Sequence, residues 1–303
     1  MPGPHFVINA NSGGGSAAKL LPRLLPALKA VYPDHQVHYT RGRGHAIELA
    51  RAAAMAGAST VVALGGDGTL HEVVNGVLLA QVTDRPSVGL IPGGRGSDFA
   101  RGAGVPRDVD RCLELLAKPA RAIDAGRVQL PDRVMHFINI ADAGLGGFTV
   151  ETANRWQLPI SGQITYLLAT AWGTFSYSGS PMTLTYTDEQ GAEQRMEGKF
   201  LVVAVCNGTY FGGGMHVAPS AKLDDGLFDI VVIEARGVWH LIRHSPALYD
   251  GSLPGRPGAH WFRARKLTLA SPDVVPMDVD GERAVGVPVT FEIMPKALRF
   301  HLP

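Results

Sequence analysis

A glycine-rich turn between an apolar strand and a helical segment constrains the fold of this chain more than any other feature. The turn reads Gly-Gly-Asp-Gly-Thr at residues 65–69, after the largely apolar residues 60–64 and before the helical pattern of residues 70–75. Glycine lets the backbone approach a ligand closely, and the amides at a helix N-terminus favour an anion. An aspartate and a hydroxyl in the same turn suit a phosphate that arrives with a metal ion. The turn therefore indicates nucleotide chemistry at the end of a strand.

The first 125 residues alternate apolar strands with helical patterns, which is typical of a parallel sheet covered on both faces. Ligands of such sheets bind beyond the carboxyl ends of the strands. Three glycine-bearing turns follow three of the strands, and we expect them to converge on one crevice. The strands are predicted at residues 5–9, 36–40, 60–64 and 87–91, a helix at 45–56, and the turns at 11–15, 65–69 and 91–101.

After residue 124 the pattern changes to that of a mainly antiparallel β domain. Asp-Gly and Gln-Gly turns separate the apolar runs, and helical patterns interrupt them at residues 160–175 and 238–249. The fold prediction is therefore α/β, with an N-terminal nucleotide-binding parallel-sheet domain over residues 1–125 and a C-terminal mainly antiparallel β domain over 126–295. The strands of the second domain are predicted at residues 181–188, 200–206, 227–234, 266–270 and 287–293.

Composition excludes several classes of protein. The formal net charge is +1, which argues against a nucleic-acid binder held by global charge. Cys112 and Cys206 are the only cysteines, and we expect them to be buried and reduced. Residues 158–175 are the longest mostly apolar stretch, but polar residues interrupt it before it reaches the roughly 20 apolar residues of a membrane span. We expect a cytoplasmic protein that can act at the inner face of a membrane.

Residues 9–18 admit a second interpretation. Gly13, Gly15 and Ala18 fit the dinucleotide pattern G-x-G-x-x-G/A. That pattern also needs an acid near the end of the second strand, where this chain has Tyr-Thr-Arg at residues 39–41. A dinucleotide oxidoreductase is therefore the weakest alternative, whereas a phosphate-binding turn and a tight turn without a ligand both stay open.

Residues 65–76, followed by residues 92–101, resemble the catalytic-domain family of diacylglycerol kinases, and most closely its small bacterial lipid kinases. The first motif is shared with NAD kinases and phosphofructokinases, and the Asp-Asp-Gly-Leu and Asp-Gly-Glu segments separate lipid kinases from those. The matching segments run in family order from about residue 6 to residue 303. Besides the first two, they are residues 9–15, 123–126, 218–227 and 279–282.

The resemblance implies a kinase that uses ATP and Mg²⁺ to phosphorylate a lipid hydroxyl, such as that of diacylglycerol, phosphatidylglycerol or a sphingoid base. Residues 296–303 would return to the first domain, and the catalytic cleft would lie between the domains. Asp280 would be the general base, and Glu282 would assist it. The resemblance also implies a structural Mg²⁺ held by Asp225 with the backbone carbonyls of Lys222 and Leu227, and an acidic network near a catalytic Mg²⁺ formed by Asp67, Asp98 and Asp124. Nucleotide contacts would come from Asn9, Ser12, Gly13, Thr40, Gly66, Asp67, Gly68, Thr69, Leu70, His71, Glu72 and Arg95.

Three positions depart from the family pattern. Arg95 stands where the family usually has threonine, Ser97 where it has asparagine, and His71 where asparagine is commoner. A guanidinium at residue 95 could hold a phosphate bidentately or fill the site itself. The departures at Arg95 and Ser97 leave open a catalytically weak module that binds nucleotide or lipid. A soluble-substrate kinase of the NAD kinase type also stays open, because it would share the turn at residues 65–69.

The partners implied are ATP and a lipid acceptor at a membrane surface, with no nucleic acid and with a homodimer left open. Residues 160–177 could line an apolar channel for the acceptor, or could form an ordinary core helix. The side chains that suggest the channel are Tyr166, Leu167, Leu168, Trp172 and Phe175.

Overall fold

The computed structural model describes residues 3–94, 97–156 and 162–303, which form two compact units. The first unit comprises the described residues up to 125 together with residues 295–303, and the second comprises residues 126–294. Each unit has its own buried apolar core.

A parallel sheet forms the centre of the first unit, with the strand order β2–β1–β3–β4. Nearly every residue of β1, β3 and β4 is buried, because helices cover the sheet on both faces. The C-terminal segment joins the same unit, where Phe300 pairs in parallel with Val88 of β4. The strands are β1 (His5–Ile8), β2 (Gln36–Tyr39), β3 (Thr60–Gly65) and β4 (Ser87–Pro92), and the main helices are Leu21–Val31, His45–Met55, Asp67–Leu79, Asp98–Gly102 and Val109–Leu116.

The second unit is built from antiparallel pairs, and this confirms the predicted fold class of both halves. The strand order runs β15–β14–β7–β9–β12–β13–β16, and β8 pairs with both β9 and β13. Two strands belong to both units, because the first residues of β5 (Arg121–Gln129) and the last residues of β16 (Val289–Phe300) lie in the first unit. The strands wholly within the second unit are β6 (Val134–Phe137), β7 (Ile140–Gly144), β8 (Ser180–Asp188), β9 (Glu193–Cys206), β10 (Tyr210–Phe211), β11 (Met215–His216), β12 (Phe228–Glu234), β13 (Ala259–Ala270), β14 (Pro276–Val279) and β15 (Glu282–Val285).

The helices of the second unit differ from the predicted pattern in two places. A helix over Leu145–Trp156 was not predicted from the sequence. The single helix predicted over residues 238–249 is wrong, because the chain forms two helices, Val238–His244 and Ala247–Asp250, with Pro246 between them. Proline lacks the N–H that a continuous helix needs. The remaining helix is Gly162–Ser176, and the predicted start at residue 160 lies outside the described residues.

No helix within residues 3–94, 97–156 and 162–303 combines the length and the apolar character needed to cross a membrane. Both cysteines are buried and free.

Candidate active site

The three glycine turns of the first unit touch one another at the carboxyl ends of β1, β3 and β4. Ser16 Oγ donates a hydrogen bond of 2.9 Å to the carbonyl of Gly93. A methyl group added at Gly13 would lie 3.0 Å from the Cα of Gly94, and one added at Gly66 would lie 3.3 Å from Ser12 Oγ. Gly13 also has a φ of +62°, which favours glycine. The structure therefore brings the three turns together as the sequence predicts.

Asp67 links two of these turns. It is the first residue of the helix that follows β3. Its carboxylate accepts hydrogen bonds from Ser97 Oγ at 3.2 Å, from the Asp98 amide at 2.9 Å and from the Phe99 amide at 3.3 Å. The last two amides open the helix Asp98–Gly102, so Asp67 caps that helix from a distant part of the chain. Ser97 itself is fully buried.

Replacing Asp67 with alanine is expected to loosen the start of this helix. The two amides and the Ser97 hydroxyl would lose their acceptor, which costs about 1–3 kcal/mol. Hydrogen exchange followed by mass spectrometry should then show exchange in a peptide covering residues 97–103 faster by about tenfold or more. Ser97→Ala is the matched control, because it removes one donor and leaves Asp67 in place, and it should produce a clearly smaller increase. Equal exchange in the Asp67 variant and the wild type would contradict the capping role.

The other predicted nucleotide residues fall into two groups. Asn9 lies at the end of β1, where its amide donates to Thr69 Oγ1 at 3.1 Å, and Thr40 follows β2 with its amide bonded to Ile8. In contrast, Leu70 and His71 are buried.

Glu72 has a local structural role. Its carboxylate accepts hydrogen bonds from the amides of Gly44 at 2.8 Å and Ala46 at 3.0 Å. These amides are at the N-terminus of the helix His45–Met55, which lacks a side-chain cap from its own N-cap residue. Glu72 therefore holds the N-terminus of the helix His45–Met55 against the start of its own helix, Asp67–Leu79.

The predicted acidic network is only partly assembled. Asp67 meets the backbone of Asp98, whereas the Asp98 carboxylate forms an ion pair with Arg101 at 3.0 Å. Asp124 is fully buried and accepts a hydrogen bond of 2.7 Å from the amide of Lys296. Arg95, the predicted phosphate ligand, lies outside the described residues.

Asp280 occupies a two-residue hairpin turn between β14 and β15 in the second unit. Asp280 and Gly281 have φ angles of 51° and 91°, as expected for a type I′ turn. The Asp280 carboxylate accepts hydrogen bonds from the amides of Ile138 at 2.9 Å, Asn139 at 3.2 Å and Ile140 at 3.0 Å. These three amides hold the carboxylate in place, and the residue as a whole is half-buried.

A buried pair of acids lies beside this turn and was not predicted from the sequence. Asp142 of β7 and Asp278 of β14 are register partners across the antiparallel pair, and both are buried. Burial raises the pKa of Asp142 to about 7, and burial together with Asp142 raises the pKa of Asp278 well above its ordinary value. Asp278 also accepts a hydrogen bond of 2.6 Å from the amide of Gly281. The only sequence signal is that Asp278 and Asp280 are two residues apart, because side chains at that spacing lie on the same face of an extended strand.

The predicted metal loop precedes β12. One oxygen of Asp225 accepts a hydrogen bond of 3.1 Å from the amide of Leu227, and the other forms an ion pair with Arg263. Lys222 is exposed, and Gly226 has a φ of +74° that allows the sharp turn. Carboxylate and carbonyl oxygens suit Mg²⁺, but the cation would have to share the carboxylate with Arg263. Within the described residues, no group of three or more His, Cys, Asp or Glu side chains is arranged to hold a metal.

Comparison with known proteins connects these turns to one family. Residues 4–128 match the family described as the diacylglycerol kinase catalytic domain, and residues 139–302 match the YegS C-terminal NAD kinase beta sandwich-like domain. The second match alone covers more than half of the chain. The chain belongs to the YegS-like lipid kinase family. That membership makes it an enzyme of the lipid kinase class.

Individual relatives are similar to this lipid kinase in sequence or in fold along most of its length. It is 33% identical over 279 residues to "Probable lipid kinase YegS-like" of Pseudomonas fluorescens, which covers 91% of the chain and 88% of the relative. It is 27% identical to the protein of the same description from Enterobacter sp., over 98% of the chain and 95% of the relative. Its fold is similar to a diacylglycerol kinase structure from Bacillus anthracis, with a TM-score of 0.75, 23% identity, and coverage of 100% of this chain and 97% of that one.

Proposed function

We propose that this lipid kinase transfers the γ-phosphoryl group of ATP to a primary hydroxyl of a lipid. The observation that carries the proposal is the contact among three glycine turns at the ends of β1, β3 and β4, with the helix Asp67–Leu79 starting there. Glycine backbone that can approach a ligand closely, next to a helix N-terminus, suits the binding of a chain of phosphates. Gly13, Gly66 and Gly68 would supply the close backbone approach.

Proton transfer would fall to Asp280. As the lipid oxygen forms a bond to the γ-phosphorus, the bond from that phosphorus to the β–γ bridging oxygen breaks and ADP leaves. The Asp280 carboxylate takes the hydroxyl proton, and Glu282 at the start of β15 would assist in positioning. The three amides on Asp280 support this role, because a base that is held in place spends no free energy on becoming oriented at the moment of reaction.

We also propose that Mg²⁺ takes part at two places, as a structural ion held in the metal loop by Asp225 with the carbonyls of Lys222 and Leu227, and as a catalytic ion near the acidic network of Asp67, Asp98 and Asp124. When bound with ATP, a divalent ion neutralises the charge of the phosphates. The ion pair between Asp225 and Arg263 supports a site for positive charge at this carboxylate. A cation in the loop would compete with the Arg263 guanidinium for one oxygen.

A soluble-substrate kinase is the second candidate function. The observation in its favour is that the family matching residues 139–302 is described as NAD kinase beta sandwich-like. The glycine turn at residues 65–69 does not distinguish the two functions, because both kinds of kinase would bind ATP phosphates there.

Transfer of radiolabelled γ-phosphate to a panel of acceptors tests the proposal. We expect labelled product with at least one of diacylglycerol, phosphatidylglycerol, monoacylglycerol and a sphingoid base in detergent, and none with NAD. A chelator of divalent ions should abolish the signal. Labelled NAD phosphate with no labelled lipid would favour the second candidate. ATP binding without transfer to any acceptor would favour a catalytically weak binding module.

A further inference from the structure

The helix Gly162–Ser176 carries its large apolar side chains on its exposed face. Leu168, Trp172 and Phe175 are 45%, 55% and 72% exposed, and Ile164 in the preceding turn is also exposed. Their spacing of three or four residues places them in one row along the helix. An ordinary surface helix of a globular protein shows the opposite arrangement, with the apolar row facing the core. The structure therefore places these side chains on the surface, whereas an ordinary core helix would bury them; of the other two residues in the channel prediction, Tyr166 is half-buried and the side chain of Leu167 lies outside the described residues.

Small residues occupy the inner face of the same helix. Thr165 and Ala169 are buried, and Gly173 lies one turn further along the same face. A methyl group added at Gly173 would lie 2.9 Å from Leu145 Cδ1, so the helix packs closely against the helix Leu145–Trp156. The exposed row is thus fixed in its orientation by close packing on the opposite side, and a simple rotation of the helix would not bury it.

A second helix extends the exposed apolar area. Val238–His244 contacts Gly162–Ser176, and its Trp239 and Ile242 are 80% and 43% exposed. We name the set Leu168, Trp172, Phe175, Trp239 and Ile242 the apolar helical surface. Groups of exposed large apolar side chains on neighbouring helices mark contact sites, because exposed apolar residues are common singly but not in such groups.

Few charged residues lie along the segments that carry the apolar helical surface. Residues 157–187 contain no Asp, Glu, Lys or Arg at all. Among these four residue types the helix Val238–His244 contains only Arg243, which is exposed, whereas Arg236 before it is ion-paired with Glu234 at 2.6 Å. An uncharged apolar row with an exposed arginine on the neighbouring helix complements a lipid leaflet with anionic headgroups, in which aromatic side chains lie at the depth of the headgroups.

We propose that the apolar helical surface inserts into the headgroup region of a bilayer that contains anionic lipids. The idea that this docking brings the enzyme to its lipid acceptor rests on the proposed function. Binding of the protein to vesicles can be measured by itself, without ATP or any reaction. The occupant of the surface is therefore a lipid leaflet, and the row from Leu168 to Phe175 is its main contact.

Sedimentation with vesicles tests the proposal with the full chain. The double variant Trp172→Gln/Phe175→Gln should bind vesicles of phosphatidylcholine mixed with phosphatidylglycerol at least about tenfold more weakly than the wild type. The matched control is Met55→Gln/Val274→Gln, which removes two exposed apolar side chains, 63% and 76% exposed, from other parts of the chain and should bind as the wild type does. Arg243→Gln should weaken binding about fivefold on these vesicles, and much less on pure phosphatidylcholine.

Two outcomes would overturn the proposal. One is equal sedimentation of the double variant and the wild type. The other is a homodimer that the double variant loses in the absence of vesicles, with vesicle binding unchanged. A phosphoryl-transfer assay on the same proteins separates this proposal from the function itself: the double variant should keep its rate on lipid dispersed in detergent and lose it on vesicles. A wild type that binds vesicles but labels no lipid would refute the function and leave the docking surface standing.

Discussion

Asp280→Asn is expected to lower phosphoryl transfer by about a thousandfold, the range in which a general base contributes. Asparagine keeps the size of the side chain and tolerates the φ of 51° at this turn position, so the hairpin should form. It removes the negative charge and the oxygen that would take the proton. The measurement is the steady-state rate on the acceptor that the lipid panel identifies, with thermal unfolding as the check on folding.

The controls for this variant separate chemistry from binding. Its affinity for a fluorescent ATP analogue should equal that of the wild type, because the predicted phosphate contacts belong to the turns of the first unit. Glu292→Gln removes an exposed carboxylate from the second unit and should leave the rate unchanged. Near-normal turnover by the Asp280→Asn variant would contradict the role of Asp280 as base.

The four parallel strands of the first unit and its helix at residues 45–56 could be predicted from the sequence almost to the residue, whereas its other helices were not delimited. Strands 5–9, 36–40, 60–64 and 87–91 are observed with ends within one residue of these bounds. Buried parallel strands consist of continuous apolar runs, and alanine-rich amphipathic helices separate them, so the two periods are easy to distinguish. The contact among the glycine turns followed from topology alone, since parallel strands end at the same edge of the sheet.

The helix Leu145–Trp156 shows why the second unit was harder. It opens with Gly146 and Gly147, which in a sequence indicate a turn rather than a helix. In the structure a methyl group at Gly146 would lie 2.2 Å from Asp142 Oδ2, and one at Gly147 would lie 2.3 Å from the amide of Met277. Both glycines are needed because the helix starts directly on β7 and β14, and this tertiary reason leaves no local signal.

The site shows the same division between local and distant causes. The glycine turn after a strand gave Asp67 and the family resemblance gave Asp280, but neither gave the partners that hold these carboxylates. Asp67 caps a helix that begins 31 residues later, and Asp280 binds amides about 140 residues earlier. Arg263 reaches Asp225 from 38 residues away. Such partners depend on strand order, which a single sequence does not reveal.

Asp142→Asn is expected to make the second unit more stable at pH 8. The raised pKa values mean that the fold holds protons on the pair of Asp142 and Asp278 that the unfolded chain would release. This contribution to stability is complete below the ordinary carboxyl pKa and is lost as the pH rises through about 7. At pH 8 the wild type must bury charge with poor compensation, since Asp142 Oδ2 has no hydrogen-bond partner among the described residues. Asparagine stays neutral and could donate to Asp278, a gain of about 1–3 kcal/mol.

The difference between variant and wild type isolates this effect from other titrating groups. Burial lowers the pKa of His5, His38 and His301, so their contribution to stability grows as the pH rises through that of a free histidine and opposes the contribution of the acid pair. The histidine contributions cancel in the difference because all three residues lie in the first unit. The advantage of the Asp142→Asn variant should be small at pH 5 and should grow up to pH 8.

Urea unfolding followed by tryptophan fluorescence measures this difference in the relevant unit. All four tryptophans of the chain, Trp156, Trp172, Trp239 and Trp261, lie between residues 126 and 294. Asp273→Asn is the matched control, because it removes an exposed carboxylate from the same unit and should follow the wild type at every pH. Parallel pH profiles for the Asp142→Asn variant and the wild type would show that the pair carries no shared proton. A growing advantage would show that the fold keeps a proton on the buried acid pair, which is hydrogen-bonded to the Asp280 turn through Asp278 and Gly281.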